Sequence, residues 1–283
     1  MPDKDKPGAG NRKARPDDEA VMAAAERAFL AENGPSGGRP VAVVIPALNE
    51  EASIASVVAA VPAVVGGEPT ECLVVDDGST DGTSTAAKRA GALVCRLDKN
   101  LGQGRALQVG YRLAAARGAK VVVTLDADGQ FDPSEMPRLV LPVLEGRADF
   151  VNGSRRLGAA QGAGILRRAG LRFFSVVVSV LTGAQITDPA NGFRAFRADL
   201  PASVNLGQVQ YQTAELLIRA LAAGYEVIES PVTVLSRSAG VSKKGGDLSY
   251  GYRFARVVLA TWLSTRAEAR GRPDPAGRRM LHR

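Results

Sequence analysis

Histidine is almost absent from this chain of 283 residues, because the only one, His282, is the penultimate residue. A catalytic triad that depends on histidine is therefore excluded. Cysteine is nearly as scarce. The two cysteines, Cys72 and Cys95, form neither a CxxC motif nor a cysteine–histidine cluster, which excludes the common zinc sites. Both lie in apolar runs typical of strands, so we expect buried free thiols in a reducing compartment.

Long apolar runs are also missing. Runs such as residues 173–181 fall well short of the roughly 18–20 residues that a membrane-spanning helix needs. Residues 1–20 are polar and charged, without the apolar centre of a secretory signal. The sequence therefore predicts a cytoplasmic protein with no transmembrane helix, either soluble or peripheral on the cytoplasmic face of a membrane.

Positive charge is concentrated at the carboxyl end. The net charge is +7, yet residues 236–283 hold eleven Lys and Arg against three Asp and Glu. Such a segment can bind an anionic membrane or nucleic acid, or can simply be solvated. No nucleic-acid-binding motif is present and aromatics are few, so nucleic acid is not expected as a partner. Apolar residues make up 45% of the chain, which excludes global disorder.

Composition divides the chain into four segments. Residues 1–38 are rich in Pro, Gly, Ala and mixed charge, and are predicted to be a flexible tail with a short helix at 18–32. Residues 39–245 are predicted to form one domain. An amphipathic helix at 246–266 and a basic flexible tail at 267–283 are expected to follow it.

Short apolar runs alternate with helical patterns through the predicted domain. Strands are predicted at 41–45, 72–75, 93–96, 121–125, 150–152, 193–197 and within 225–235, and the main helices at 50–60, 103–117, 134–144, 165–181 and 211–223. This alternation indicates an α/β fold with a mostly parallel, Rossmann-like sheet and helices on both faces. Ligands of such sheets bind beyond the carboxyl ends of the strands, which places the loops at 46–50, 76–79 and 126–130 on one rim.

The loop at 126–130 carries the strongest chemical signal. Asp126 and Asp128 follow a buried strand and are separated by one residue, and Gln130 adds a neutral oxygen. Oxygen ligands of this kind suit Mg²⁺ or Mn²⁺. An acidic turn without a ligand is the alternative, since Asp and Gly are ordinary turn residues.

A second glycine-marked segment opens the predicted helix at 103–117. Gly102 and Arg105 could present backbone N–H groups and a cation to a phosphate at the helix start. Glycines at a junction between a loop and a helix are common, so a plain turn is the alternative.

Three motifs in a fixed order give the chain a family resemblance. They are VVIPALNE at 43–50, VVDDGSTDGT at 74–83 and LDADGQ at 125–130. Together they resemble the family 2 glycosyltransferases of the GT-A fold, from about residue 40 to 245. Ser154, Arg155, the segment TDPANGFR at 187–194, Glu215 and the segment RSAGVSK at 237–243 look like the polyprenyl-phosphate (dolichol-phosphate) hexosyltransferase branch.

The resemblance implies a role for each candidate residue. The donor nucleotide would be bound by Pro46, Asn49, Glu50, Asp77, Gly102, Arg105 and Asp126, and the metal by Asp126, Asp128 and Gln130. The acceptor phosphate would be bound by Arg155, Arg194, Arg237 and Lys243, and the catalytic residues would be Asp128, Glu215 and Arg237.

Because a phosphate acceptor is already an anion, no strong general base is needed; Glu215 would be the base only for a hydroxyl acceptor. A simple turn is the alternative for Asp77, and a solvated helix or surface position is the alternative for Glu215 and the cations.

These features predict an inverting, metal-dependent hexosyltransferase. It would move a mannose-type or glucose-type sugar from a nucleoside-diphosphate sugar to a polyprenyl phosphate, using Mg²⁺ or Mn²⁺. A soluble family 2 enzyme with a hydroxyl acceptor is one alternative. A non-catalytic nucleotide-sugar or membrane-binding module is another.

The two predicted helices at 165–181 and 247–266 suit an anionic membrane surface. Their apolar anchors would be Phe173, Phe174, Tyr252, Phe254 and Trp262, and their cations Arg167, Arg168, Arg172, Lys243, Lys244, Arg253 and Arg256. Packing of the apolar residues against the sheet, or against a second copy in a homo-oligomer, is the competing explanation.

Overall fold

The structure is a computed structural model that describes residues 16–35, 37–158, 165–235 and 248–271. Its centre is an eight-stranded sheet. The strands are β1 (Val41–Ala47), β2 (Val64–Val65), β3 (Glu68–Asp76), β4 (Leu93–Arg96), β5 (Val121–Thr124), β6 (Phe150–Ser154), β7 (Arg194–Arg197) and β8 (Val227–Pro231). Their order is β2-β3-β1-β5-β7-β6-β8, with β4 also paired to β3.

The sheet is mostly parallel, as the sequence predicts. Among the described strands, only β2 and β7 run antiparallel to their neighbours. The central strands are continuous apolar runs because helices cover both faces of the sheet. Successive residues of β1 therefore enter two different core clusters, Ala42 and Val44 one, Val43 and Ile45 the other.

Helices cover both faces of the sheet. They are α1 (Pro16–Asn33), α2 (Glu51–Ala60), α3 (Thr83–Arg89), α4 (Gln103–Ala116), α5 (Met136–Leu144), α6 (Ile165–Thr182), α7 (Leu200–Ser203), α8 (Gln212–Ala222) and α9 (Leu248–Gly271). Side chains of α1, α4, α6, α8 and α9 join the first core cluster, whereas those of α2, α3 and α5 join the second. The GT-A-like α/β arrangement expected from the sequence is therefore confirmed.

The helix that the sequence predicts at 18–32 is present in the amino-terminal segment and is packed on the core. Residues Pro16–Asn33 form α1, which buries Met22 and Phe29 in the first core cluster. The side chain of Arg117 donates Nη1 hydrogen bonds to the carbonyl oxygens of Asn33 (2.8 Å) and Gly34 (2.7 Å). Burial of two large apolar side chains and these capping contacts hold the helix on the sheet.

Smaller differences concern the ends of elements. The sequence does not predict β2 or α7, which are two and four residues long. At the other end of the chain, α9 continues to Gly271, past the expected end at 266. No helix within the described ranges combines the length and the apolar character that a membrane crossing requires.

Candidate functional site

The loops that follow β1 and β3 are joined to each other at the predicted rim. The Asn49 N–H donates to the Ser79 hydroxyl at 2.9 Å, and the Asn49 Oδ1 accepts the Thr80 N–H at 2.8 Å. Asn49 has a φ of 51°, a left-handed conformation that asparagine tolerates. The Glu50 N–H donates to Thr83 Oγ1 at 2.8 Å, at the start of α3. These contacts fix the polar end of β1 against the DDGST segment.

Pro46 and Asp77 lie at the same edge of the sheet. Pro46 is half-buried near the end of β1 and pairs in register with Val75 of β3. The Asp77 N–H donates to the Ala47 carbonyl at 2.8 Å. The expectation that these residues meet at the rim is therefore correct, and their contact with a nucleotide stays a prediction.

Asp77 holds the loop that precedes α4. Its Oδ1 accepts the Leu101 N–H at 2.7 Å and its Oδ2 accepts the Gly102 N–H at 2.8 Å. The side chain is almost fully buried, and burial raises the pKa of the carboxyl to about 6. Asp77 is thus more than a turn former, since it joins two rim loops.

The start of α4 differs from the phosphate site that the sequence predicts. The Gly102 N–H is bound by Asp77, and the Gly104 N–H donates to the Val209 carbonyl at 2.9 Å. Arg105 is buried, with its Nη1 donating to Gln108 Oε1 at 2.7 Å. In this conformation protein acceptors occupy these N–H groups and Arg105 is buried, as in the plain turn that is the alternative, and donor phosphate binding by Gly102 and Arg105 stays a prediction.

The acidic loop after β5 lies beside the start of α4. The Gln103 side-chain amide donates from Nε2 to Asp126 Oδ1 at 3.2 Å. Asp128 Oδ1 accepts the Gln130 N–H at 3.2 Å, which tightens the turn. The Gln130 backbone carbonyl accepts the Leu235 N–H at 2.8 Å, and this ties the loop to the segment after β8. Asp126, Asp128 and Gln130 are all half-buried.

A glycine of the TDPANGFR segment makes room for the Asp126 carboxylate. A Cβ atom on Gly192 would lie 2.9 Å from Asp126 Oδ2, so a side chain at this position would require the carboxylate to shift. Within the described residues, no group of three or more His, Cys, Asp or Glu could hold a metal ion. A metal site at this loop would therefore rest on two carboxylates and neutral oxygens. That donor set fits Mg²⁺ or Mn²⁺, which commonly share water and phosphate ligands with a few carboxylates.

Arg155 is fixed at the rim beyond β6 by a buried carboxylate. Its Nε and Nη2 donate to the two oxygens of Asp188, each at 2.6 Å. The Asp188 N–H (3.2 Å) and the Thr187 N–H (2.7 Å) in turn donate to the Glu229 carboxylate. Bidentate pairing orients the guanidinium of Arg155. Binding of an acceptor phosphate by Arg155 stays a prediction.

Arg194 does not face the rim. It is fully buried in β7, between β5 and β6, and donates Nη hydrogen bonds to the carbonyl oxygens of Asn191 and Thr213. Its guanidinium lies 5.4 Å from the ring centroid of Phe150, and burial lowers the pKa of Arg194 to about 10. In this structure the side chain of Arg194 is enclosed in the core, and its contact with an acceptor phosphate stays a prediction.

Glu215 is also buried, in the first turn of α8. Its carboxylate accepts the N–H groups of Gly207 and Gln208, both at 2.9 Å, and the Nε of Arg219 at 3.3 Å. A general base must reach the acceptor hydroxyl directly or through one water. In this conformation the Glu215 carboxylate is enclosed and binds backbone N–H groups, and its role as a base for a hydroxyl acceptor stays a prediction.

Two of the predicted site residues lie outside the described residues, and the structure adds three residues that the sequence does not predict for the site. Arg237 and Lys243 belong to residues 236–247, outside the described ranges. The missed residues are Gln103, Gly192 and Glu229, which contact Asp126 or the segment that holds Arg155. Gln103 and Gly192 lie inside segments that the sequence marks, but nothing in the sequence pairs either of them with Asp126.

Helices α6 and α9 pack together and leave one apolar face exposed. Phe174 and Phe254 meet with ring centroids 4.7 Å apart, and Trp262 Nε1 donates to the Leu181 carbonyl at 2.6 Å. These three of the five expected anchors pack partly or fully into the fold. The other two predicted anchors, Phe173 on α6 and Tyr252 on α9, are exposed. Further exposed apolar residues on the same helices are Val176 and Val180 on α6, and Leu259 and Leu263 on α9.

Comparison with known proteins gives a consistent family. The model of glycosyl transferase family 2 matches residues 42–200. An uncharacterized glycosyltransferase of Mycobacterium bovis is 37% identical over 75% of this chain and 92% of its own length. Polyprenol monophosphomannose synthase of Mycolicibacterium smegmatis is 31% identical over 83% of this chain and 89% of its own length. Dolichyl-phosphate hexose transferase of Haloferax volcanii is 33% identical over 77% and 93%.

Solved structures agree with this family. Glucosyl-3-phosphoglycerate synthase from Mycobacterium tuberculosis, in complex with Mn²⁺, uridine diphosphate and phosphoglyceric acid, has a TM-score of 0.61. It is 26% identical, and the match covers 90% of this chain and 84% of the synthase. The same synthase has also been crystallised with Mg²⁺ and uridine diphosphate, again with a TM-score of 0.61.

Proposed function

Because the chain belongs to glycosyl transferase family 2, we propose that it moves a hexose of the mannose or glucose type from a nucleoside-diphosphate sugar to a polyprenyl phosphate. The observation that carries this proposal is the similarity to polyprenol monophosphomannose synthase along most of both chains. The activity named for that relative and for the dolichyl-phosphate hexose transferase uses a lipid phosphate as acceptor. The chain is thus a glycosyltransferase, and the lipid acceptor is the proposal.

Asp126 and Asp128 would hold the divalent ion on the donor side. Their oxygen chemistry, the glycine at 192 and the metal bound by the mycobacterial synthase support this assignment. When bound, the ion would supply Lewis-acid stabilisation of the departing nucleoside diphosphate. Gln103 would orient Asp126 through the 3.2 Å hydrogen bond between them. The loop formed by Asn49 and Thr80 would frame the nucleotide at the adjoining part of the rim.

The acceptor side would work by holding an anion rather than by removing a proton. A phosphate oxygen is already nucleophilic at neutral pH, so the enclosed position of Glu215 is compatible with transfer. Arg155, oriented by Asp188, would bind the acceptor phosphate and hold it near the anomeric carbon. Direct attack from the face opposite the leaving group inverts the anomeric configuration.

The exposed apolar face of α6 and α9 would lie on the membrane that supplies the lipid acceptor. Phe173 and Tyr252 present 59% and 70% of their surface to solvent, which is unusual for large apolar side chains. Arg172, Arg253 and Arg256 lie on the same two helices and could contact anionic head groups. The proposal places the protein as a peripheral enzyme on the cytoplasmic face.

A small phosphorylated acceptor is the second candidate. It is favoured by the match with glucosyl-3-phosphoglycerate synthase, which covers 90% of this chain and was crystallised with phosphoglyceric acid. Arg155 could equally bind the phosphate of such a molecule. The two candidates share the donor site and differ in the attacking group, which is a phosphate oxygen of the lipid acceptor but a hydroxyl of the small phosphorylated acceptor.

A transfer assay tests the proposed function. The full chain would be incubated with radiolabelled GDP-mannose or UDP-glucose, Mn²⁺ and a polyprenyl phosphate in detergent, and the organic phase analysed for glycolipid. We expect labelled lipid with one of the donors, and a loss of about a hundredfold or more on chelation of the metal or on the Asp128→Asn substitution, since metal charge stabilisation contributes several kcal/mol. Labelled lipid from neither donor would refute the lipid acceptor. Undiminished transfer by Asp128→Asn would refute the metal assignment.

A further inference from the structure

Glu215 holds the short loop formed by residues 207–209. Its two carboxylate oxygens accept the N–H groups of two successive residues, Gly207 at Oε1 and Gln208 at Oε2. The carboxylate is 1% exposed, and Arg219 one turn later on α8 supplies the opposite charge. A buried carboxylate with two backbone donors and a cation is a fixed structural link.

The loop at 207–209 packs directly against the start of α4. The Val209 carbonyl accepts the Gly104 N–H at 2.9 Å. A Cβ atom on Gly104 would lie 2.3 Å from the Gln208 carbonyl oxygen, and one on Gly102 would lie 2.6 Å from Val209 Cγ1. The two glycines therefore allow backbone to meet backbone, and the position of the loop sets the position of the helix start.

The start of α4 is in turn bound to the donor side of the site. The Gly102 N–H donates to Asp77 Oδ2 at 2.8 Å, and Gln103 Nε2 donates to Asp126 Oδ1 at 3.2 Å. Gln103 lies between the two glycines that touch the loop, so a shift of the loop would move Gln103 relative to Asp126. Continuous contacts thus connect Glu215 with the Asp126 carboxylate.

We propose that Glu215 is a positioning residue for the donor half of the site, acting through the loop at 207–209, the start of α4 and Gln103 to orient Asp126. This inference rests on the proposed function only in that Asp126 binds the metal and donor diphosphate. It replaces proton abstraction by Glu215 with a geometric role. An amide in place of the carboxylate would have one acceptor oxygen for two N–H groups, which would loosen the loop.

Donor binding tests this role independently of transfer. The affinity of the full chain for UDP and GDP in the presence of Mn²⁺ would be measured by titration calorimetry, for wild type and Glu215→Gln. Residues that act on a site through intervening packed contacts typically change binding by about two- to thirtyfold, so we expect Glu215→Gln to weaken the binding of whichever nucleotide binds wild type by about threefold or more. Unchanged nucleotide affinity in a folded Glu215→Gln protein would overturn the proposal, whether or not any glycolipid is formed.

Two further variants test the route of the effect. Gly104→Ala disturbs the same contact from the helix side, so it should weaken nucleotide binding as Glu215→Gln does. Combining Glu215→Gln with Gln103→Ala should cost little more than the larger single effect, because both act through one hydrogen bond. Fully additive losses would contradict a shared route.

Glu229→Gln is the matched control. Glu229 also accepts two successive backbone N–H groups, those of Thr187 and Asp188, but these residues hold Arg155 on the acceptor side. We expect Glu229→Gln to leave nucleotide affinity unchanged and to raise the KM for the acceptor.

In steady-state assays Glu215→Gln should raise the KM for the donor, with the shape of the pH profile of kcat unchanged. If kcat of Glu215→Gln no longer fell at low pH as it does in wild type, Glu215 would be the general base instead.

Discussion

Three carboxylates share one arrangement at the residue scale. Asp77, Glu215 and Glu229 each accept the N–H groups of two successive residues in a loop. Loops at the end of a sheet expose many backbone N–H groups, and an ionised carboxylate satisfies two of them with charge-assisted hydrogen bonds. Glu215, which the sequence suggests as a catalytic residue, is here part of the support for a loop.

The raised pKa of Asp77 gives a pH dependence of stability. The folded carboxyl has a pKa of about 6, against about 4 when unfolded, so the folded state binds the proton more tightly. Its contribution to stability is therefore full below about pH 4 and is lost as the pH rises through 6. We expect the free energy of unfolding of wild type, relative to Asp77→Asn, to fall by about 2 kcal/mol from pH 4 to 6.5.

Urea denaturation of both proteins across this range measures that difference. Groups other than Asp77 titrate in both proteins, so their contributions cancel. Parallel stability curves for wild type and Asp77→Asn would contradict the raised pKa.

Residue types and spacing in the sequence were sufficient to find the acidic loop, but they do not indicate which way a side chain points. Asp126 and Asp128 follow a strand directly, so their place at the rim follows from the strand alone. The environment of Arg194 depends instead on Thr213 and Phe150, which are distant in sequence. Arg194 is enclosed within β7 whereas Arg197 at the end of the same strand is exposed, and the sequence alone does not distinguish the two.

At the scale of elements, apolar runs identified the main strands, and the helix predicted at 18–32 is α1, but its packing on the core was not predicted. The segment around α1 is rich in Ala and charge, and its apolar residues are few. Met22 and Phe29 nevertheless join the first core cluster, where α1 packs against β4 and α4. Tertiary packing rather than local pattern fixes such a helix.

The exposed face of α6 and α9 predicts membrane binding by these two helices. Replacing Phe173 and Val180 by Ser removes apolar area worth about 1.5–3 kcal/mol for each side chain that would enter the interface. We expect the Phe173→Ser/Val180→Ser variant to bind vesicles of phosphatidylcholine and phosphatidylglycerol at least about tenfold more weakly than wild type, as measured by co-sedimentation.

Val64→Ser is the control for this substitution. Val64 is a similarly exposed apolar residue, but it belongs to β2, away from the two helices. Its loss should leave vesicle binding unchanged. If the α6 variant instead kept full vesicle affinity and lost self-association, the face would be an interface between two copies of the chain.

At the scale of the whole molecule, one rim carries the donor and acceptor elements on different parts of the sheet. The donor elements follow β1, β3 and β5, which lie side by side in the sheet. Arg155 and its supports follow β6 and precede β7, in the adjoining half. A lipid-phosphate transferase and a synthase crystallised with phosphoglyceric acid both resemble this chain, so under the proposed function the acceptor half would distinguish the two activities.

A competition between acceptors tests the central claim most directly. The full chain would receive one labelled donor, Mn²⁺, and equal concentrations of a polyprenyl phosphate and 3-phosphoglycerate, and the label in the organic and aqueous products would be counted. The proposed function predicts that the label enters the lipid phosphate at least about tenfold more than the water-soluble product. Label found chiefly in a glycosylated phosphoglycerate would contradict it.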